Sequence, residues 1–196
     1  MSKGRDTKNT ILQTALDMAS QSSLDSVTIG SLAKAAKMSK SGLFAHFQSK
    51  ENLQIAILEF AAADFIDQVV LPALKSKGGI GRIEALVENW VEWAEKLKGG
   101  CIFVTASTEF SERPGKVRDF LLSQQKSWIV ALKKMCRSAI QADHFRNGID
   151  CDQFAFDLYS LLMGYHYYSI MLRSGESKKR LAKALERLIN TYQSPR

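Results

Sequence analysis

The 196-residue chain is 45% hydrophobic and 24% charged, a composition that supports a full apolar core and excludes a disordered or low-complexity protein. Its 27 Lys and Arg against 20 Asp and Glu leave a formal charge of +7, and residues 1–50 hold seven basic against three acidic side chains. That balance suits a polyanion, either nucleic acid or an anionic membrane surface. No apolar run nears the roughly 18 residues that cross a bilayer, and the start MSKGRDTKN lacks the apolar segment of a secretory signal. Cys101, Cys136 and Cys151 are odd in number and have no CxxC spacing, so neither a disulfide framework nor a zinc site is expected. A cytoplasmic chain with no cofactor, no metal and no membrane span follows.

Apolar residues recur at three-to-four spacing, without sustained alternation of period two and with prolines only at 72, 114 and 195, which predicts an all-α fold. A first helix over about 6–20 places Ile11, Leu12, Ala15, Leu16 and Ala19 on one face. After the turn SSLDS, Thr28 is a hydroxyl N-cap for a short helix that carries Ile29, Leu32 and Ala33 and ends near Ala36. Lys37-Met38 connects it to a second short helix, capped by Ser39 and reaching Phe47. Two short helices with a tight turn between them form a helix-turn-helix. Ser49-Lys-Glu then opens a long helix over about 50–74 with Leu53, Ile57, Phe60, Ala61 and Phe65, a connector that leaves the N-terminal unit. Beyond it, helices are predicted at about 82–97, 101–111, 114–142, 152–173 and 177–192, punctuated by glycine pairs at 78–79 and 99–100. The expected division is a three-helix domain over 1–50 and a larger helical domain over 51–196.

The stretch SKSGLFAHF, residues 39–47, has the chemistry of a recognition helix. Such a helix shows short donors to base edges, fixes phosphates with flanking groups and keeps one apolar side for its scaffold. Leu43 and Phe47, four residues apart, supply the apolar side, while Lys40, Ser41, Phe44 and His46 point elsewhere. Gly42 permits close approach of a backbone to DNA. Thr28 and Lys50 sit at helix starts, where backbone N–H groups and an ammonium hold phosphate. The DNA-binding set is therefore Thr28, Ser39, Lys40, Ser41, Gly42, Phe44, His46 and Lys50, facing a major groove of double-stranded DNA.

Thr28-x-x-x-Leu32-Ala33-x-x-Ala36, followed by Met38-Ser39-x-x-x-Leu43-Phe44-x-His46-Phe47-x-x-Lys50-Glu51-x-Leu53, resembles the TetR family of bacterial transcriptional regulators over residues 8–60. The resemblance implies an all-helical homodimer with an N-terminal DNA-binding domain. It also implies a variable C-terminal domain that binds a small-molecule inducer and weakens operator binding. Two positions depart from the family pattern. Lys37 stands where glycine is usual, and Phe44 replaces a tyrosine whose hydroxyl would reach phosphate. Gly99-Gly-Cys-Ile-Phe-Val-Thr-Ala-Ser-Thr-Glu-Phe110 with Arg113-Pro-Gly-Lys-Val-Arg118 resembles a C-terminal type found in regulators of unknown inducer.

In the second half, Trp90, Trp93, Phe103, Phe110, Trp128 and Tyr165 offer aromatic surface for a cavity, with Thr105, Glu109 and Gln124 as polar contacts. Ordinary core packing is the competing reading for each. Stripes of Phe154, Leu158, Leu161, Leu162 and Tyr165, and of Leu181, Leu185, Leu188 and Tyr192, are expected to pair across a two-fold axis as a four-helix bundle, making the operator palindromic. Cys101 carries an alternative, a redox or electrophile sensor; a basic helical interaction module is a further one. No GxSxG, HExxH, P-loop or dinucleotide fingerprint appears, so no catalytic residue is assigned and an enzyme is not expected.

Overall fold

The computed structural model describes residues 3–193, with side chains from Thr7 onward. Every named element among them is helical, and the only pairing of extended backbone described is an isolated bridge between Phe145 and Gln193. The chain divides into two compact units. Among the described residues, unit 1 comprises 3–66 and 94–124, and unit 2 comprises 67–93 and 125–193.

In unit 1, α1 (Lys3–Gln21) packs on α4 (Lys50–Phe65). Ile11, Leu12, Ala15, Leu16 and Ala19 are buried, and so are Leu53, Ile57, Leu58 and Ala61 of α4. Between them lie α2 (Ile29–Ala35) and α3 (Lys40–Phe47). Thr28 and Ser31 close a capping box at the start of α2: the Ser31 N–H donates to Thr28 Oγ1 at 3.0 Å and the Thr28 N–H to Ser31 Oγ at 2.9 Å. Each satisfies a backbone donor that the helix end leaves open.

The turn into α3 keeps its left-handed residue without glycine. Lys37 has φ 54°, the Met38 N–H donates to Ala33 O at 3.0 Å and the Lys37 N–H to Lys34 O at 3.4 Å. These are the two hydrogen bonds of a Schellman ending, so the strain of a Cβ in this conformation is tolerated. Ser39 Oγ then accepts from the Gly42 N–H at 3.1 Å, and Ser49 Oγ from the Asn52 N–H at 3.1 Å, which sets the starts of α3 and α4.

Unit 1 also contains α7 (Ile102–Phe110) and the first residues of α8 (Lys116–Gln141). Gly99 lies against the end of α1. Its N–H donates to Ser20 Oγ at 2.8 Å, and a Cβ there would stand 1.9 Å from Ser20 O, so only glycine fits.

The helix begun by α4 continues through a π turn (Ile66–Val70) into α5 (Leu71–Lys75). Pro72 has no N–H to return to the preceding turn, and the wider hydrogen-bond register falls just before it. Unit 2 holds most of α6 (Ile80–Lys96), the C-terminal part of α8, α9 (Cys151–His166) with a π turn (Tyr167–Met171), and α10 (Ser177–Tyr192). Phe154, Leu158 and Leu162 of α9 and Leu181, Leu185 and Ile189 of α10 are buried where these helices pack together. Phe145 anchors the corner before α9, its ring 5.4 Å from that of Phe154 and 5.9 Å from that of Tyr192.

Candidate nucleic-acid interface

The surface of α3 separates as an amphipathic reading requires. Leu43 and Phe47 are buried, while Lys40, Ser41, Phe44 and His46 are exposed. Thr28, Ser39 and Lys50 are exposed as well, and Gly42 is half-buried. Phe44 is 55% exposed, and a single apolar side chain at a surface is ordinary in itself. Two hydroxyls already have structural work: Thr28 Oγ1 and Ser39 Oγ cap α2 and α3. Gly42 has a local reason too, because a Cβ there would come within 3.0 Å of Ser39 Oγ, the atom that its own N–H meets.

Of the residues expected at DNA, Lys50 already has an anionic partner within the chain. Its Nζ lies 2.7 Å from Asp25 Oδ1, and the Arg113 guanidinium is 3.1 Å from Asp25 Oδ2. The Lys50 hydrogen bond, with Arg113 behind it, holds the Asp25 carboxyl below the usual carboxylate value against a smaller upward push from burial. Both side chains of the Lys50 pair are more than 40% exposed, and exposed pairs contribute only about 0–1 kcal/mol. The pair therefore holds Lys50 only weakly.

The turn that carries Asp25 is gripped from two sides, a feature the sequence alone did not reveal. Glu109 on α7 accepts from the Leu24 N–H at 3.1 Å and the Asp25 N–H at 3.0 Å, one bond to each carboxylate oxygen. Buried Gln54 on α4 donates to Leu24 O at 3.3 Å and Asp25 Oδ1 at 3.4 Å. Lys116 adds a long ion pair to Glu51 at 3.9 Å. Glu109 was expected among ligand contacts; its carboxylate serves the α1–α2 turn. The only advance signal was an acid on a mostly apolar helix, which does not name its partner.

The remaining expected ligand contacts are divided between the units. Phe103, Thr105, Phe110 and Gln124 belong to unit 1, and Trp90, Trp93, Trp128 and Tyr165 to unit 2. Phe103 meets Phe65 edge-on at 6.0 Å, and the Phe110 ring lies 5.4 Å beneath the Arg113 guanidinium. Trp90 meets Tyr165 edge-on at 5.9 Å. Trp90 and Trp93 are each 2% exposed, as core residues are. A groove of about 170 Å³ lies between α9 and α10, lined by Ser160, Leu161, Gly164, Tyr165, Tyr168, Ser177, Arg180, Leu181 and Ala184. Of the expected ligand contacts only Tyr165 borders it, and its volume is below that of ordinary small-molecule sites.

The expected dimer stripes lie mainly on the inner face of the α9–α10 pair. Phe154, Leu158, Leu162, Leu181 and Leu185 are buried within the one chain; Leu161, Leu188 and Tyr192 are half-buried. Tyr192 donates its hydroxyl to Asp157 Oδ2 at 2.9 Å, and burial, with that carboxylate, pushes its phenol up to about 12. Cys101, at the start of α7, is 2% exposed, too buried for a sensor thiol, which must meet its oxidant. His144 accepts from the Ile80 N–H at 3.1 Å, and His166 is buried. Among the described residues no three His, Cys, Asp or Glu side chains gather as a metal site, and no helix is long and apolar enough to cross a membrane.

A capped helix-turn-helix with an exposed polar second helix, joined to a larger helical region, defines a DNA-binding transcriptional regulator of the helix-turn-helix class. Residues 11–57 match the family described as "Bacterial regulatory proteins, tetR family", and residues 79–185 that described as "Tetracyclin repressor-like, C-terminal domain". The chain belongs to the TetR family. A curated relative, the nucleoid occlusion factor SlmA of Marinomonas sp. (strain MWYL1), is 29% identical over 104 residues. Those residues are 53% of each protein, so the match spans about half the length of that relative. Among solved structures, a TetR transcriptional regulator from Chloroflexus aurantiacus J-10-FL superposes with a TM-score of 0.83 at 21% identity, over 97% of this chain and 96% of the other. AibR in complex with isovaleryl coenzyme A and operator DNA gives 0.69 at 19% identity, over 97% and 100%. At these identities the two structures share the fold.

Proposed function

We propose that this chain is a homodimeric repressor that reads a palindromic operator with α3 and leaves it when a small-molecule inducer binds. The observation behind the reading is α3 itself, with Leu43 and Phe47 buried while Lys40, Ser41, Phe44 and His46 face outward. Lys40 and Ser41, at the N-terminal end of the helix, supply base-edge contacts. Thr28, Ser39, Phe44, His46 and Lys50 surround them as sugar-phosphate contacts, and Gly42 lets the backbone approach. AibR, whose structure holds both an acyl coenzyme A and operator DNA, supports pairing a ligand with a DNA site on this fold.

Dimerisation is assigned to the outward face of α9 rather than to its buried stripe. Phe156, Tyr167 and Met171 are 68%, 55% and 69% exposed, and with Ser160, Met163 and Gly164 they follow helical spacing along one face. So much exposed apolar surface in one stripe is what a second copy covers. The two-fold axis then sets the recognition helices roughly 34–36 Å apart for half-sites one turn apart.

Release is assigned to the grip on the α1–α2 turn. Glu109 and Arg113 hold Leu24 and Asp25, and Asp25 competes with DNA phosphate for Lys50. An inducer that displaces α7 therefore changes both the angle of the turn and the freedom of Lys50, shifting the population away from the DNA-binding form. The test is to sequence the genomic fragments that the purified protein retains, then titrate the enriched site with candidate apolar and acyl-thioester compounds. An inverted repeat released by one compound class supports the reading; retention of DNA without any shared sequence contradicts it.

A further inference from the structure

We propose that Cys136 and Cys151 form a reversible dithiol site that a small hydroperoxide oxidises to an intrachain disulfide. The two sulfurs lie 2.8 Å apart although the residues are 15 positions apart in sequence. They come from separate elements, Cys136 from the last turns of α8 and Cys151 from the first position of α9.

The corner between those helices fixes the meeting. The α8 end closes with Asp143 at φ 56° and the His144 N–H donating to Ala139 O at 3.0 Å. Asp150 then caps α9, its Oδ1 accepting from the N–H groups of Asp152 and Gln153 at 2.8 and 3.1 Å. An ion pair joins Lys133 of α8 to Asp152, next to Cys151, and Phe145 is buried against Phe154 and Tyr192. The thiols are thus held together by contacts that do not depend on them.

Access differs between the two, and this sets the order of events. Cys136 is 0% exposed and Cys151 half-buried, so of the two Cys151 is the one a small oxidant meets first. Burial, and the neighbouring Cys151 sulfur after it, push the Cys136 thiol well up, which makes it the slower of the two to meet an oxidant as thiolate. The Cys151 thiolate attacks one oxygen of the hydroperoxide, the O–O bond breaks, and Cys151 becomes a sulfenic acid as an alcohol, or water from hydrogen peroxide, leaves. Cys136 sulfur then attacks Cys151 sulfur. The S–S bond forms, the S–O bond breaks, and the hydroxyl departs with the Cys136 proton as water. Two electrons have passed from the thiols to the peroxide. The product staples α8 to the start of α9, the helix whose outer face is assigned to the dimer.

The experiment exposes the full-length protein to hydrogen peroxide near stoichiometry, quenches with an alkylating agent, unfolds it and counts thiols. One free thiol should remain of the three cysteines, and tryptic mapping without reductant should join the peptide with Cys136 to the peptide with Cys151. Dithiothreitol should restore all three. Cys101→Ser should lose both its remaining thiols in the same way, and Cys136→Ala should stop at a Cys151 sulfenic acid that dimedone traps. Wild-type protein that retains three thiols overturns the proposal, as does a reducible link between Cys151 residues of two chains, visible as doubled mass on a non-reducing gel. Because the decisive count is made on wild type, a misfolded Cys136 variant does not obscure the answer.

Discussion

At Lys50 one ammonium group answers to two anions, the Asp25 carboxylate 2.7 Å away and, in the proposed complex, a DNA phosphate. Removing each partner therefore moves affinity in opposite directions. Lys50→Ala is expected to weaken binding to operator and scrambled duplex alike and to flatten the salt dependence by about 0.9 log-log units for each phosphate it no longer neutralises. Asp25→Asn frees Lys50 and is expected to strengthen binding to both duplexes, most at low salt. Titrations at several salt concentrations check the pair; an unchanged slope in Lys50→Ala removes it from the phosphate contacts. His166 gives a residue-scale prediction of another kind. Its place in the last turn of α9 favours a cation, but burial outweighs this and lowers its pKa below 6.5. The unfolded chain then binds the extra proton first, so the stabilisation is complete above 6.5 and is lost as pH falls toward the folded value. Melting curves between pH 7.5 and 5 are expected to fall less steeply in His166→Phe than in wild type.

The helix-turn-helix shows what sequence conveys about elements. Thr28, Ser39 and Ser49 mark three helix starts, and each caps as its chemistry predicts, because a hydroxyl before an apolar period acts within a few residues. The turn at Lys37 was legible as a departure from glycine but not in its consequence, since the Schellman bonds from Lys37 and Met38 depend on how α2 ends. Lys37→Gly is expected to stabilise the protein by about 0.5–1 kcal/mol with the operator-to-scrambled ratio unchanged; chemical denaturation measures it, and a loss of stability would mean that the Lys37 conformation costs nothing. Long-range partners were not legible. Glu109 meets a turn 85 residues earlier, and Cys136 meets Cys151 only because the 142–150 corner folds back. Periodicity specifies a helix and its apolar stripe, not which neighbour the stripe or a lone acid finds.

For the whole molecule, that limit decides the dimer prediction. The inner stripes of α9 and α10 satisfy each other within one chain, so Leu185→Glu, 8% exposed in wild type, is expected to destabilise the protomer by several kcal/mol, since it buries a carboxylate with no partner. Phe156→Glu, on a side chain 68% exposed, is expected to leave the protomer folded and monomeric. Sedimentation with circular dichroism separates the two, and a stable dimer from Phe156→Glu would place the seam elsewhere. Charge, capping and the two family matches support the proposed act, sequence-specific binding of duplex DNA through α3. The most direct test is the ratio of affinities for the enriched operator and for the same operator with one half-site base pair changed, compared between wild type, Lys40→Ala and Ser41→Ala at fixed salt. Each variant is expected to stay folded while at least one loses about 1–3 kcal/mol of that discrimination; both variants keeping the wild-type ratio would contradict base reading by α3.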